Sequence, residues 1–298
     1  MKTKPFIALD WGTTSFRAYE VNAEGAVVNQ VAAPEGILSV KDGAFEAALE
    51  THIGAWDKAL PIVASGMITS RQGWVECAYA QCPASASDLA KSITLKTTAS
   101  GRNVHFITGL HYTSPSIGHD VLRGEETQVF GSLASGATHF ITPGTHSKWI
   151  SVVGDRIESF ATYMTGETFA LYRNHSILGR LMQDGPQDDA VFARGVEKAF
   201  AAPADLLHQL FATRTLGLFN DIAPEKLASY LSGVLIGSEV ASASMGHDHD
   251  AKYRVLAAPA LAANYLNALK IAGLKAESGD PLCAIAGQHL IAHEAGII

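Results

Sequence analysis

The chain has 298 residues, a net charge of −7 at pH 7, and 47% hydrophobic against 17% charged residues. That length supports one or two domains with a large core, and the acidic balance argues against a nucleic-acid binder that works by neutralising phosphates. No apolar run is long enough for a membrane span or a signal peptide, and Cys77, Cys82 and Cys283 form neither a CxxC pair nor an even set, so neither a disulfide framework nor a zinc site is expected and the cytoplasm is the expected compartment.

In chain order, residues 5–10 read as a buried strand that ends in a single carboxylate, Asp10, before Trp11-Gly12-Thr13-Thr14-Ser15. Residues 15–21 alternate as a second strand, residues 22–25 (NAEG) signal a hairpin turn, and residues 26–32 read as a third strand. Residues 43–59 have helical spacing, with Phe45, Leu49, Ile53, Trp56 and Leu60 on one side. A short strand over 61–66 leaves into a loop that carries Ser70, Arg71, Gln72 and Trp74, and residues 103–109 form another strand. The Ser/Pro/Gly stretch 111–120 is the expected boundary, dividing the chain into domains 1–115 and 116–298. Residues 124–135 and 225–244 are helices, residues 253–259 a strand, and Pro259 opens a further helix; a last helix closes the chain.

Between these, the opening pattern restarts. Residues 139–166 again read strand, glycine–hydroxyl turn, strand, tight turn, strand. Gly144-Thr145-His146-Ser147 aligns with Gly12-Thr13-Thr14-Ser15, and Gly154-Asp155 falls near the place of Glu24-Gly25. The repeat predicts a duplicated β-meander. Asp10 faces Thr142, so only the first copy carries a carboxylate.

A glycine turn flanked by hydroxyls offers backbone N–H and O–H donors to anionic oxygens. One such turn is equally well a plain hairpin; two in a duplicated scaffold suggest two grips on one polyphosphate, Gly12, Thr13 and Thr14 on one side and Gly144 and Thr145 on the other. Asp10 at a strand end suits Mg²⁺, which uses one or two carboxylates plus phosphate oxygens, or it caps the turn. Lys148 and Arg17 lie just beyond the turns, either near phosphate or as exposed strand partners.

D-x-G-T-T-S-x-R after an apolar strand, with a second glycine–threonine turn in the restarted pattern, resembles the actin-like ATPase superfamily of sugar kinases, actin and heat-shock chaperones. Residues 64–84, 122–133, 141–150 and 162–171 resemble the 2-dehydro-3-deoxygalactonokinase family, and the resemblance spans nearly the whole chain. It implies an α/β, two-domain actin-like (ribonuclease H-like) fold with an interdomain cleft, ATP and Mg²⁺ as cofactors, and phosphorylation of a small sugar acid, 2-dehydro-3-deoxy-D-galactonate, at its 6-position in galactonate breakdown. No nucleic-acid or membrane partner is implied, and a homodimer is left open. The rivals are a kinase for another sugar acid or sugar, and an actin-like ATPase switch without an acceptor.

Within that resemblance, the glutamates of the RGEET stretch open a helix where related glycerol and xylulose kinases begin theirs with an aspartate. Glu125, directly after the glycine, is the expected base; Glu126 is the alternative, and both also complement the helix dipole. Gly233 and Gly237 share one helical face and imply a close approach, either by adenosine or by another helix. Arg71, flanked by Ser70 and Gln72, is the expected fork for the acceptor's carboxylate, with Arg123 second. The GHDHD run at 246–250 is metal-ligating in composition, yet reads as a solvated loop, and the four tryptophans read as packing residues.

Overall fold

The computed structural model describes residues 4–247 and 250–298. Strand β1 (Phe6–Trp11) is buried at every position but Asp10, which is why its sequence is a continuous apolar run and not an alternation. It pairs antiparallel with β2 (Phe16–Val21), which pairs with β3 (Val27–Ala33). Helix α1 (Phe45–Ile53) buries Phe45, Leu49 and Ile53, then leads to β4 (Ile62–Ser65), parallel to β1. The chain continues through β5 (Ala80–Gln81), β6 (Ala84–Ser85), α2 (Ala86–Ala90), β7 (Thr94–Thr97) and β8 (Asn103–Phe106). The sheet order is β3-β2-β1-β4-β8-β7.

Strands β9 (Leu110–Ser114) and β10 (Gly118–Leu122) form a hairpin that leads into α3 (Glu125–Ser132). The meander then recurs as β11 (His139–Thr142), β12 (Ser147–Val153) and β13 (Arg156–Tyr163). Helices α4 (Thr165–His175), α5 (Asp189–Ala201), α6 (Leu206–Leu218) and α7 (Leu227–Ala243) precede β14 (Lys252–Val255), α8 (Pro259–Ile271) and β15 (Lys275–Ser278); α9 (Cys283–Glu294) ends the chain. The second sheet runs β15-β14-β11-β12-β13-β6, with β11, β14 and β15 parallel as β1, β4 and β8 are. The order β8-β4-β1-β2-β3 is thus repeated as β15-β14-β11-β12-β13, so the duplication extends to whole sheets.

Two compact units result. The first holds the described residues up to Gly136, Ser151–Phe160 and Asp280–Ile298; the second holds Ala137–Ile150 and those of Ala161–Gly279. The expected cut after residue 115 falls instead inside the first unit, in the turn of the β9–β10 hairpin, where Ser114 pairs with Gly118 and Leu110 with Leu122. The Ser, Pro and Gly of that stretch are turn residues and not a linker.

In the first unit Trp11, Phe16, Phe45, Trp74 and Phe106 form one ring-packed core. Helix α9 is tied beneath it by Gln288, whose Nε2 donates to the Leu9 carbonyl and to Ser65 Oγ, both at 2.8 Å. Helices α3 and α9 cross at Gly131 and Gly287, where a Cβ on either would run into the other's backbone. Arg102 is fully buried and closes the C-terminal end of α1: Nε donates to Glu50 Oε1 at 2.9 Å, and its two Nη atoms donate to the carbonyls of Ile53, Trp56 and Asp57. Removing one partner of a buried ion pair costs about 3–5 kcal/mol; because Glu50 is 25% exposed, the loss expected for Arg102→Met is about 3 kcal/mol, read as a lower denaturant midpoint at unchanged slope.

Candidate active site

Each meander turn is held from behind by a glycine. In the first, Gly12 N donates to the Ser15 carbonyl at 2.9 Å, and Ile37 N and Leu38 N donate to the carbonyls of Gly12 and Thr13 at 3.0 and 3.3 Å. Gly36 lies against the Thr13–Thr14 peptide so closely that any Cβ there would collide with it. In the second, Glu167 N donates to the Thr145 carbonyl at 2.9 Å, and a Cβ on Gly166 would strike the Gly144 carbonyl. Thr13, Thr14, Gly144 and Thr145 are exposed, so both turns are braced on one side and open on the other. Gly36 and Gly166 are absent from the sequence-based site; their shared place, shortly after the third strand of each meander, is the signal that marks them.

The carboxylates gather in the first unit. Asp10 Oδ2 accepts from Arg17 Nη1 at 3.1 Å, its cross-strand neighbour, so Arg17 is more than an exposed strand residue. Gly66, at φ 93°, faces the other oxygen: a Cβ there would sit 3.2 Å from Asp10 Oδ1. Gly124, at φ 106°, approaches in turn, and a Cβ on it would lie 3.2 Å from Gly66 Cα. This glycine-to-glycine contact sets the start of α3 at the end of β4 and brings Glu125 into the field of Asp10. Burial raises the Asp10 pKa, against the lowering effect of Arg17, and the Glu125 charge raises it further.

The two glutamates of α3 differ. Glu125 is partly exposed and its Oε2 accepts from Arg123 N at 2.8 Å. Glu126 is fully buried: Oε2 accepts from Gly124 N at 2.6 Å, and Oε1 has no partner among the described residues. Burial, with the Glu125 charge second, pushes its pKa up to about 8.

In the loop after β4, Ser70 is buried with its Oγ unpartnered among the described residues, whereas Arg71 and Gln72 are exposed. Arg123, the second candidate for the fork, is engaged through its Nη atoms, while its buried Nε has no partner among the described residues. Its Nη1 donates to the carbonyl and, at 2.6 Å, the hydroxyl of Thr69, its Nη2 donates to the Cys77 carbonyl at 3.2 Å, and its guanidinium lies 4.2 Å over the Tyr79 ring. It shapes the loop. In the second unit Lys148 is buried, and its Nζ folds back to donate to the His146 carbonyl at 3.3 Å, at the edge of the turn.

A cavity of ≈ 240 Å³ opens beside that turn, with Gly144, Thr165 and Gly166 at one end, Leu261, Asn264 and Tyr265 from α8, and Ser229, Ser232, Leu235 and Ile236 from α7. Gly233 and Gly237 do not line it. They face α5, where a Cβ would meet the Phe192 carbonyl and Gly195 Cα, or Val196 and Ala199, so their missing side chains serve helix packing. Sequence reading missed Glu239, the one carboxylate of α7; a lone carboxylate in an apolar helix was the signal. Asp248 and His249 of the His/Asp run lie outside the described residues, and His247 Nδ1 is 2.8 Å from the Tyr253 hydroxyl.

Glu126 makes stability depend on pH. Its folded pKa lies above its unfolded value, so between about pH 4.5 and 8 the folded state holds a proton that the unfolded state has lost. Folding stability therefore falls as pH rises through that window. Glu126→Gln is expected to flatten this slope, in denaturation midpoints taken at pH 5 and pH 8.

A family model described as 2-keto-3-deoxy-galactonokinase matches residues 10–291. The chain is 32% identical to the 2-dehydro-3-deoxygalactonokinase of Escherichia coli (strain K12), covering 98% of each chain. It is also similar to a crystal structure from Sinorhizobium meliloti assigned to the same activity, at 33% identity and TM-score 0.89, covering 97% of this chain and 98% of the other. At 10% identity and TM-score 0.53 it shares its fold with the activator of the 2-hydroxyisocaproyl-CoA dehydratase from Clostridium difficile, solved with ADPNP, over 98% of this chain and 96% of that one. The duplicated sheets are those of the actin-like ATPase and sugar-kinase fold, and the chain belongs to the 2-keto-3-deoxy-galactonokinase family, ATP-dependent kinases of galactonate catabolism.

Proposed function

We propose that this kinase transfers the γ-phosphoryl group of ATP to the 6-hydroxyl of 2-dehydro-3-deoxy-D-galactonate, with Glu125 as base and Asp10 organising Mg²⁺. The observation that carries the assignment is the Gly66–Gly124 contact, which sets a partly exposed Glu125 within the electrostatic reach of Asp10. Phosphoryl transfer asks the protein for alignment, charge neutralisation and a proton acceptor. Glu125 takes the proton of the attacking hydroxyl. Glu126 is fully buried and held largely protonated, so it is the weaker base candidate.

The residues at Asp10 fit a magnesium ion. Its Oδ1 faces a glycine where any side chain would fill the space, and magnesium keeps most of its waters while using one or two carboxylates. When bound, the ion neutralises charge on the phosphate oxygens. Gly12, Thr13 and Thr14 offer their donors to phosphate oxygens at one turn, and Gly144 and Thr145, with Lys148 behind them, offer theirs at its duplicate. Adenosine takes the second unit's cavity, whose Ser232 and Asn264 offer polar contacts between apolar walls. The acceptor's carboxylate lies on the exposed Arg71 fork, and the unpartnered Ser70 hydroxyl and Gln72 meet its hydroxyls. We place the reaction in the cytoplasm, where ATP is supplied.

Two measurements test these roles. Glu125→Gln keeps shape but cannot accept a proton, and loss of a general base commonly costs about 10²- to 10⁴-fold; turnover is expected to fall by that much with ATP binding retained. Asp10→Asn should lower turnover comparably and raise the Mg²⁺ concentration for half-maximal rate. Normal turnover in a folded Asp10→Asn protein would reduce Asp10 to a turn cap.

Arg71→Lys loses the two parallel bonds of a guanidinium to a carboxylate. A hydrogen bond to a charged group contributes about 1.5–3 kcal/mol, so the acceptor KM should rise roughly 10- to 100-fold while the ATP KM holds. An unchanged acceptor KM in both Arg71→Lys and Arg71→Ala would remove Arg71 from the acceptor site.

A further inference from the structure

The second unit holds a buried carboxylate that the reaction itself does not need. Glu239 is 3% exposed. Its Oε1 accepts from Ser147 Oγ at 2.6 Å and from Trp149 Nε1 at 2.7 Å, and its Oε2 accepts from the Tyr265 hydroxyl at 2.7 Å. The Thr165 side chain also hydrogen-bonds to it. All of these donors are neutral. A buried charge without a cationic partner is costly unless its oxygens are saturated, and a carboxylate, with two oxygens and about four lone-pair sites, is suited to accept this many donors at one point.

The sources of the donors show what is being held. Ser147 closes the exposed glycine–threonine turn, and Trp149 follows it on β12. Thr165 starts α4 and Tyr265 sits on α8, and both line the ≈ 240 Å³ cavity. Glu239 continues the face of α7 that carries Ser232, Leu235 and Ile236 into that cavity, at i+3 and i+4 spacing. We propose that Glu239 is a positioning residue for the nucleotide: it fixes the phosphate turn relative to the cavity walls by binding turn, β12, α4 and α8 to one side chain of α7. This rests on the reading of the cavity as the adenosine site. Small misplacements of groups that hold a substrate are amplified in rate and affinity, so the effect falls on ATP and not on the acceptor, whose proposed residues all lie in the first unit.

The test is Glu239→Gln in the full chain, with steady-state KM for ATP and for the acceptor, calorimetric Kd for ADP, and Tm. The amide keeps the volume but offers one acceptor oxygen in place of two. The ATP KM and ADP Kd are expected to rise about tenfold, equivalent to about one charged hydrogen bond, with the acceptor KM within twofold. Ser147→Ala, which removes one donor and spares the carboxylate, should shift the same two constants in the same direction, and it serves if Glu239→Gln fails to fold. Val240→Ala, fully buried on the same helix and in the unit's apolar core, should lower Tm and leave the ADP Kd unchanged. Wild-type ADP affinity in Glu239→Gln and Ser147→Ala, or an equal loss of affinity in Val240→Ala at matched Tm, would overturn the proposal. Ser232→Leu, which fills the cavity, separates the two readings. If it leaves ADP affinity intact, the cavity is not the nucleotide site and both readings fall; if it weakens ADP while Glu239→Gln does not, only the role of Glu239 falls.

Discussion

The close approach of Gly66 and Gly124 is the constraint on which the chemistry of this fold depends. Both residues take positive φ, where a side chain is strained, and each lies where a Cβ would press on its neighbour. Because nothing stands between them, the end of β4 and the start of α3 meet beside the end of β1. A carboxylate delivered by a buried strand and a carboxylate delivered by a helix start then share one electrostatic environment. The Asp10 pKa registers this, since burial and Glu125 raise it against Arg17. Gln288 keeps the strand ends in place from below, with bonds to Leu9 and Ser65.

The two meanders have kept one backbone device and lost the symmetry of their chemistry. Gly36 and Gly166 brace their turns by the same close packing. Above them the copies part. The first carries Asp10 near the end of its first strand, bonded to Arg17 and within the field of Glu125; the second has Thr142, buried, with its hydroxyl unpartnered among the described residues. The second unit instead carries a carboxyl group, Glu239, buried on α7 and hydrogen-bonded to neutral donors. One copy thus carries the neighbouring carboxylates, and the other a braced turn beside a cavity of mixed lining.

Helix contacts follow the same logic of omitted side chains. Gly131 against Gly287 and Gly195 against Gly233 let two helix pairs come within backbone distance. The first pair anchors α3, and through it Glu125. The second anchors α7, and through it Glu239 and the cavity wall. Glycine in a helix interior is about 1 kcal/mol less favourable than alanine, a cost offset here by close packing on both sides of the crossing.

The sequence by itself determined the strand-turn-strand periodicity, the duplication, the exposed glycine–hydroxyl turns and the single carboxylate at Asp10, because these are written in contiguous residues with local periods. The motif resemblance likewise led to the right family from short stretches. Only the tertiary structure decided where long-range partners lie. Arg123 reads as a free fork, and the fold ties its Nη atoms to Thr69 and Cys77 and lays it over Tyr79. Gly233 and Gly237 read equally as a nucleotide contact or a helix contact, and α5 settles the choice. The hairpin at residues 110–122 reads as a linker because its ladder joins residues whose composition is that of a turn. Glu239 was one carboxylate in an apolar helix until Ser147, Trp149 and Tyr265, distant in the chain, were brought to it. A side chain's partner is set by packing across the chain, and one-dimensional spacing carries no record of it.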